Sequence, residues 1–440
     1  MSPASTAPDA TPDGAPGAAP FAKPGATLGA TPAAAPPLAD VRILDLSRLV
    51  SGNIATHVLA DLGADVIKIE GPPHGDDLRN WRCEGISTYW KVYSRNKRSV
   101  ALNLREPGGQ AALRRLVQTA QVLVENFRPG TLEKMGFSPD ALHALNPKLI
   151  VVRVSGWGQT GPYAHKPGFG SLIEAMSGFA AMNGFADRPP VLPPFAMADC
   201  MAGLFASVGI MNALRVVEHG GAGQTIDLSL FDPIHSMLGP LALEHRLTGR
   251  TPARRGSRSP THAPRNVYET ADGHYIALSA GMEGTVQRLF HAIGRPDMAA
   301  DPRFSSHAAR IENIEALDAA IGDFVKQRNL EENLAFFDKM DVTAGPVCDA
   351  ADLEHSDYIR ERGIIHEQED EELGSIPTPA PPLRFAGTPA TIRFPAPRFG
   401  QHTREVLMEA GYGAQEVAAL AAAKAIHCDT GATDQGAITE

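Results

Sequence analysis

The feature that most constrains the fold is an alternation of strand-like and helix-like runs, repeated four times between residues 41 and 155. The first run, "VRILDLS", is followed by "GNIATHVLADLG", in which Ile54, Val58 and Leu62 recur at helical spacing. The later strand-like runs are "ADVIKIE", "QVLVEN" and "LIVVRVS". Because such units fold as strands joined by crossover helices, the pattern predicts an α/β fold with an open, doubly wound parallel sheet.

Two carboxylates lie in the helical stretches that follow. We expect helices over residues 171–182 and 198–217, and then a strand in "QTIDLSLF". Asp199 opens the second of these helices, so its expected role is that of an N-terminal cap. Glu174 lies within "SLIEAMSG", where it is either a satisfied buried carboxylate or a residue that lines a pocket.

Changes of composition along the chain indicate five segments. The predicted segments are a disordered Ala/Pro-rich tail over 1–37, the first part of a large α/β domain over 38–240, a loop and a smaller α+β domain over 241–345, a return segment that completes the large domain over 346–425, and a C-terminal tail over 426–440.

Charge and cysteine usage restrict the partners. The chain has 440 residues and a formal net charge of −10, which argues against nucleic acid as a partner. Its four cysteines are far apart, which predicts free thiols in a reducing compartment. The N-terminus has no signal-peptide pattern, and no apolar run looks long enough to span a bilayer. We therefore expect a cytoplasmic protein with no membrane partner.

Several common active-site motifs are missing from the sequence. The turn after the first strand, "DLSRLVSGNIAT", holds one glycine and no Gly-x-Gly-x-x-Gly, and no Walker motif occurs, so NAD, FAD and ATP are not expected. The histidines form no metal-ligand pair, and no Gly-x-Ser-x-Gly elbow is present. By elimination, any nucleophile is expected to be a carboxylate.

Asp187 is the candidate nucleophile that stands out in the sequence. It lies in "NGFADRPPVLPPFAMAD", where four prolines stiffen seventeen residues. A turn would explain an aspartate beside Pro189 and Pro190, and so would a carboxylate held rigidly for chemistry. The residues alone leave both interpretations open.

Basic residues cluster near two strand ends. Arg95, Lys97, Arg98 and Arg105 occur together in "SRNKRSVALNLR", and "NFRPGTLEK" adds further cations. Ligands of open α/β sheets bind beyond the carboxyl ends of the strands, so these groups would suit a phosphorylated ligand. For any single one of these residues, a solvated basic edge is the favoured interpretation.

Long blocks of the chain resemble a known family. The blocks include "VRILDLSRLVSGNIATHVLADLGADVIKIEGPPHGDDLR", "NKRSVALNL", "VENFRPGTLEKMGFSPDALHALNPKLI", "SGWGQTGPYA" and "ADGHYIALS". From about residue 40 to 425 the chain is similar to the class III CoA-transferases, the CaiB/BaiF family that contains formyl-CoA transferase and carnitine CoA-transferase.

The resemblance implies a fold, a reaction and a set of site residues. It implies a large α/β domain and a small domain in an interlocked homodimer, and transfer of CoA from an acyl-CoA to a small carboxylic acid without a metal or redox cofactor. It places the nucleophile at Asp187, in a loop over 184–190. The implied CoA-binding residues are Val50, Ser51, Leu102, Asn103, Leu104, Arg105, Asn126, Phe127, Arg128, Lys134, Ser155, Gly156, Trp157 and Gly158.

Two other functions remain open. Related 2-methylacyl-CoA racemases use a His/Asp pair; His143 matches their histidine, whereas Gly170 stands where their aspartate would be. A CoA-binding subunit without turnover is the other alternative.

Phe185 and Phe195 suggest that the wall of the substrate pocket is partly apolar and that the carboxylic acid is larger than oxalate. Alternatively, these two side chains belong to the core. By analogy succinyl-CoA is a plausible donor, and the Gly-Ser stretch near Gly256 would close over the site.

Overall fold

The computed structural model describes residues 35–429, so most of the predicted N-terminal tail and residues 430–440 lie outside it. The strands are β1 Arg42–Asp45, β2 Asp65–Glu70, β3 Lys97–Leu102, β4 Val122–Glu125, β5 Ile150–Ser155, β6 Thr225–Ser229, β7 Arg265–Glu269, β8 Tyr275–Ser279, β9 Ala344–Pro346, β10 Ile365–Asp370, β11 Gly374–Pro379 and β12 Ile426–His427.

The helices occupy the segments between and after these strands. They are α1 Ser51–Asp61, α2 Thr88–Tyr93, α3 Pro107–Val117, α4 Thr131–Lys134, α5 Pro139–Leu145, α6 Gly170–Met176, α7 Phe179–Met182, α8 Met197–Glu218, α9 Phe231–Met237, α10 Leu241–Thr248, α11 Glu283–Ala292, α12 Asp297–Ala300, α13 His307–Glu312, α14 Ile314–Val325, α15 Leu330–Lys339, α16 Ala350–Glu354, α17 Asp357–Arg362, α18 Thr403–Glu409 and α19 Ala414–Ala422, with short 3₁₀ turns at Asp77–Asn80 and Pro302–Phe304.

The predicted doubly wound sheet is confirmed. Seven strands lie in the order β12-β3-β2-β1-β4-β5-β6, and all neighbouring pairs are parallel except β12 with β3. The chain winds outward from β1 to β3 and then returns to the other side of β1 at β4. The strand order therefore reverses between β1 and β4, which is where open α/β sheets bind their ligands.

Helices cover both faces of this sheet. On one face, α1 and α8 pack with the sheet in a core that includes Ala55, Leu59, Ala202 and Ile210. On the other, α3, α5, α18 and α19 build a second core. Burial on both faces explains why the strands read as continuous apolar runs rather than as alternating patterns.

The sequence expectation that no apolar run is long enough to span a bilayer is wrong for helix α8. Its 22 residues have a mean hydropathy of 1.6 over the most apolar window, which makes it the one helix within residues 35–429 long and apolar enough to cross a membrane. In the structure its buried side packs against α1 and the sheet. Its other side is exposed and apolar, with Leu204, Phe205, Val208 and Met211 at the surface.

A smaller antiparallel sheet, β7-β8-β9, packs with α11, α14 and α15 around a core of its own. Beyond it the chain returns to the large sheet, where the Thr391 amide donates to the Asp61 carbonyl and the Asn96 amide donates to the Phe394 carbonyl. The segment after 425, expected as a tail, first adds β12 to the sheet beside β3. Ile426 is 3% exposed, so burial of this side chain fixes the strand there.

Candidate active site

A cavity of about 390 Å³ opens at the carboxyl end of the large sheet, beside the reversal of strand order. Its walls come from the loops after β1, β4 and β5, from the segment that leads into α6 and from the first turn of α8. The lining residues are Arg48, Leu49, Ser51, Asp77, Asn126, Phe127, Arg128, Pro129, Thr131, Met135, Val154, Ser155, Gly156, Ala164, Lys166, Pro167, Gly168, Phe169, Asp199 and Leu230.

Side chains from two other segments hold the loop after β1. Leu49 has a φ of 58°, and the amide of Leu49 donates to Asp76 Oδ1 at 2.9 Å. Left-handed backbone is costly for a leucine, so this hydrogen bond offsets local strain. Asn126 accepts from the Arg48 amide at 2.8 Å and donates to the Arg48 carbonyl at 2.7 Å. The cavity wall is therefore fixed before a ligand arrives.

A buried ionic network lies beneath this wall. Lys68 Nζ lies 3.1 Å from Asp45 Oδ1 and 2.9 Å from Asp76 Oδ2, and Lys97 Nζ lies 3.1 Å from Asp45 Oδ2. Burial lowers the pKa of Lys97 to about 8, although Asp45 opposes that shift. The two lysines, together with hydrogen bonds, outweigh burial and hold the pKa of Asp45 below its usual range.

Asp199 is the carboxylate that faces the cavity from the first turn of α8. The helix begins at Met197 with Ala196 as its cap, so the expectation that Asp199 caps the helix is wrong. Burial, followed by the nearby negative charge of Glu174, raises the pKa of Asp199 to about 6, while a hydrogen bond from the Ser51 hydroxyl opposes the rise. A raised pKa makes a carboxylate a stronger base and nucleophile.

Gly170 makes room for that carboxylate. A Cβ at position 170 would lie 2.4 Å from Asp199 Oδ2, far inside van der Waals contact. Nearby, Gly156 and Gly168 pack backbone to backbone, since a Cβ on Gly156 would lie 2.6 Å from the Gly168 Cα. The close approach of these glycines joins the loop after β5 to the loop before α6.

Polar groups that face the cavity are available to a ligand. The Ser155 hydroxyl is buried and has no hydrogen-bond partner among residues 35–429. Arg48, Arg128 and Lys166 stand at the rim, and in the same part of the chain none of them lies within ion-pairing distance of a carboxylate. Arg48 and Lys166 rest over the rings of Phe127 and Tyr163, at 5.7 and 3.5 Å from the ring centroids. A carboxylate with a raised pKa, a hydroxyl without a partner among residues 35–429 and three cations thus share one cavity.

Comparison with known proteins identifies the family. The profile of CoA-transferase family III matches residues 38–403. The chain belongs to CoA-transferase family III. It is 39% identical to the succinyl-CoA–D-citramalate CoA-transferase of Chloroflexus aurantiacus, over 85% of this chain and 94% of that one. It is 34% identical to the succinate–glutarate CoA-transferase of Agrobacterium fabrum, over 85% and 95% of the two chains.

Solved structures agree with this family. A CaiB/BaiF family protein from Brucella suis superposes with a TM-score of 0.76 and 33% identity, covering 85% of this chain and 99% of that one. The resemblance inferred from sequence blocks is therefore confirmed, as are the fold class and the enzyme class: the protein is a CoA-transferase.

The predicted CoA-binding residues of this CoA-transferase fall into two groups. Those that line the cavity are Ser51, Asn126, Phe127, Arg128, Ser155 and Gly156. Those that do not are Val50, Leu102, Asn103, Leu104, Arg105, Lys134, Trp157 and Gly158. Lys134 and Trp157 are close neighbours of the wall, because Lys134 precedes Met135 and the Trp157 indole donates to the Pro167 carbonyl at 3.1 Å.

The run from Leu102 to Arg105 lies elsewhere for a topological reason. It follows β3, which is separated from β1 by β2 and therefore lies well away from the reversal of strand order. There Leu102 pairs with Ile426, and the Asn103 amide donates to the Ala425 carbonyl at 2.8 Å. The C-terminal segment thus covers this strand end.

Asp187, the predicted nucleophile, is exposed and does not line the cavity. Its loop is nevertheless well fixed, because Arg254 donates to the carbonyls of Phe185 and Arg188, at 3.0 and 2.7 Å. The Gly256 amide also donates to the Gly184 carbonyl at 2.8 Å. The loop is held as the prolines predicted, but the hydrogen bonds fix its backbone and not the Asp187 side chain.

His143, the candidate racemase residue, lies on α5, and its Nε2 hydrogen-bonds the Leu149 carbonyl at 3.1 Å. It does not line the cavity.

Arg48, Lys166 and Phe169 line the cavity but were not predicted as site residues from the sequence. Within residues 35–429 no cluster of three or more His, Cys, Asp or Glu side chains is arranged to hold a metal ion.

Proposed function

We propose that this CoA-transferase moves CoA from an acyl-CoA to a free carboxylic acid through a covalent aspartyl-CoA intermediate formed on Asp199. The observation that carries the proposal is a single cavity in which Asp199, three cations and the Ser155 hydroxyl, which has no partner within residues 35–429, converge. Perturbed carboxylates in such cavities are typical of active sites.

The assignment of the nucleophile to Asp199 departs from the sequence hypothesis, which named Asp187. Three features support Asp199: it lines the cavity, it carries a raised pKa, and Gly170 leaves the space in front of its Oδ2 clear. Asp187 offers a stiff loop and an exposed side chain. At neutral pH most Asp199 side chains are ionised, because neutral pH lies above a pKa of about 6.

The proposed reaction proceeds through two covalent adducts. An Asp199 carboxylate oxygen attacks the thioester carbonyl carbon, the C–S bond breaks, and CoA leaves as a thiolate. The thiolate then attacks the Asp199 carbonyl of the resulting anhydride, releasing the donor carboxylate and leaving an aspartyl-CoA thioester. The acceptor carboxylate attacks that thioester and the two steps reverse, so no net proton or electron is consumed.

The rim cations would bind the phosphates of CoA. Arginine and lysine are the usual partners of phosphate oxygens, and those of the cavity have no competing carboxylate within residues 35–429. The buried Ser155 hydroxyl would donate to a ligand oxygen deeper in the cavity, which would relieve the penalty of leaving it unpaired.

Succinyl-CoA as donor and a C4 or C5 dicarboxylic acid as acceptor form the substrate pair that we propose. Support comes from the names of the two relatives compared above, which combine succinyl-CoA or succinate with citramalate or glutarate. The cavity volume of about 390 Å³ lies in the range of small-molecule sites.

Transfer is favoured over racemisation by the contents of the cavity. No histidine is among its lining residues within the described chain, and His143 is bound to a carbonyl on α5. A racemase exchanges the proton α to the thioester with solvent, whereas a transferase does not. Incubation of a 2-methylacyl-CoA in deuterated water therefore distinguishes the two: deuterium uptake at the α carbon would support the racemase.

We also propose that the chain forms the homodimer expected from the resemblance. The exposed side of α8 carries Leu204, Phe205, Val208 and Met211, and Phe169 beside the cavity is 60% exposed. Exposed apolar side chains grouped on one helix are typical of a face covered by protein. Sedimentation equilibrium at micromolar concentration measures the mass directly.

The decisive experiment compares two matched variants, Asp199→Asn and Asp187→Asn. With succinyl-CoA and glutarate, the Asp199→Asn variant should lose at least about 10³-fold in kcat, because an amide is a poor nucleophile. The Asp187→Asn variant should retain activity near that of the wild-type enzyme. Mass spectrometry after addition of acyl-CoA and hydroxylamine should locate a hydroxamate on the peptide containing Asp199.

The opposite outcomes identify what is wrong. Loss of activity in Asp187→Asn alone would restore the sequence hypothesis. Full activity in both variants would rule out either aspartate as nucleophile. No turnover and no hydroxamate with a range of acyl-CoAs would support a binding subunit without activity.

A further inference from the structure

Glu174 is a buried carboxylate beside the nucleophile that the proposed reaction does not use. It lies on α6 and is 3% exposed. Its Oε1 accepts a hydrogen bond from the amide of Ala198 at 3.1 Å. Ala198 immediately precedes Asp199, so the two carboxylates meet at the first turn of α8.

The hydrogen bond to Ala198 satisfies part of an otherwise uncapped helix end. Ala196, the cap residue of α8, makes no side-chain hydrogen bond to the first turn. The first amides of a helix have no partner within the helix, and a carboxylate is a favourable acceptor for them. Glu174 therefore fixes the turn that carries Asp199.

A capping role alone does not require a charged side chain. A glutamine amide oxygen would accept the same hydrogen bond. Yet among residues 35–429 no cation lies within ion-pairing distance of Glu174, and burying a carboxylate without a counter-charge is unfavourable. The charge itself thus needs an explanation beyond helix capping.

The charge acts on Asp199. After burial, the negative charge of Glu174 is the second cause of the raised pKa of Asp199. A hydrogen bond from the Ser51 hydroxyl on α1 opposes this rise. Burial, then the charge of Asp199 and then that of Glu174 raise the pKa of the neighbouring Cys200 thiol. The other charged groups of the cavity are Arg48, Asp77, Arg128 and Lys166.

Gly170 allows α6, which carries Glu174, to pack closely against the Asp199 carboxylate. A side chain at 170 would collide with the Asp199 carboxylate, whereas Glu174 is one helical turn further along and on the same face of α6.

We propose that Glu174 is a positioning residue for the transfer reaction: it fixes the first turn of α8 and places a second negative charge beside the nucleophile. This inference rests on Asp199 being that nucleophile.

The test uses Glu174→Gln, which keeps the acceptor for the Ala198 amide and removes the charge. The acidic limb of kcat/KM, expected near pH 6 in the wild-type enzyme, should move to lower pH toward the ordinary value of aspartate. The plateau rate should fall by about 3- to 10-fold because a weaker base is a weaker nucleophile. The KM for acyl-CoA should be unchanged.

Glu218→Gln is the matched control, since it removes one negative charge from the last residue of the same α8. The Glu218→Gln variant should show the acidic limb of kcat/KM at the same pH as the wild-type enzyme. If Glu174→Gln gives the wild-type pH profile and plateau while Asp199→Asn is inactive, Glu174 is a cap only and the inference is overturned. Activity in Asp199→Asn would instead overturn the proposed function.

A measurement that keeps Glu174 in place covers the case in which Glu174→Gln does not fold. Infrared difference spectra between the wild-type enzyme and Asp199→Asn report the protonation of the Asp199 carboxyl group. A midpoint near pH 6 is expected. A midpoint near the ordinary value of 3.8 would show that neither burial nor the charge of Glu174 raises the pKa of Asp199, and would contradict the inference.

Discussion

At the scale of single residues, the site is marked by polar groups that are left without partners. The ionic groups beneath the cavity wall are fully paired, as Lys68 is with Asp45 and Asp76. The Ser155 hydroxyl, in contrast, is buried and has no hydrogen-bond partner in the described part of the chain. An unpaired buried hydroxyl costs stability, so a ligand that pairs with it binds more tightly.

The variant Ser155→Ala tests this interpretation. Unfolding should occur at the same temperature as in the wild-type enzyme or slightly higher, because no protein hydrogen bond is lost. Calorimetric affinity for CoA should fall by about 5- to 10-fold, or roughly 1–1.5 kcal/mol. Ser94→Ala is the control, because the Ser94 hydroxyl is also buried and without a partner among the residues that the structure describes, but lies outside the cavity. Equal affinities in both variants would show that Ser155 does not contact the ligand.

At the scale of elements, the packing of α8 on α1 brings Asp199 to Ser51. Gly203 is the contact point: a Cβ there would lie 2.7 Å from the Ser51 carbonyl oxygen and 2.8 Å from Ile54 Cβ. The two helices can approach this closely only because position 203 has no side chain. The same approach allows the Ser51 hydroxyl to reach the Asp199 carboxylate.

Gly203→Ala should therefore affect both stability and activity. We expect the free energy of unfolding to fall by about 1–3 kcal/mol, as in other overpacked cores, and kcat to fall with it. Gly209→Ala on the same helix is the control, since its Cβ would lie 3.5 Å from Ile226 Cδ1, an ordinary contact. There alanine should raise stability by about 0.5–1 kcal/mol. Urea unfolding measures the free energy of unfolding of both variants. Equal changes in the two variants would show that position 203 is not a close contact between α1 and α8.

At the scale of the whole molecule, an acidic protein presents a basic rim. The formal net charge is −10, yet Arg48, Arg128 and Lys166 surround the cavity. The net field repels a polyanion such as CoA, and the local cations attract it. Binding should therefore depend on short-range pairs that salt can screen.

CoA affinity should weaken as ionic strength rises from 0.05 to about 0.5 M, since the Debye length shrinks over that range. Arg128→Ala should bind CoA more weakly at low salt and show a shallower salt dependence. Arg404→Ala removes an exposed cation on α18, outside the cavity, and should leave the slope unchanged. Identical slopes in the two variants would show that Arg128 does not pair with a phosphate.

Local signals in the sequence predicted the elements of the molecule well. Ser138 and Pro139 predicted the start of α5, and Ser138 does accept from the Ala141 amide there. The apolar runs predicted β1, β2, β4 and β5. The expected helix over 171–182 is instead two helices, because Gly178 adopts a φ of 105° between them.

The sequence by itself determined the α/β class, the doubly wound sheet with helices on both faces, and the family, because periodicity and motif blocks are local properties of the chain. Only the tertiary structure decided which loops meet. The strand order places the ends of β1, β4 and β5 at one cavity and leaves Leu102–Arg105 at the end of β3, beside β12. The direction of α8 turns Asp199 into that cavity, while the prolines hold Asp187 on an exposed loop. Residue spacing fixes neither, since contacts between distant segments depend on how whole elements pack.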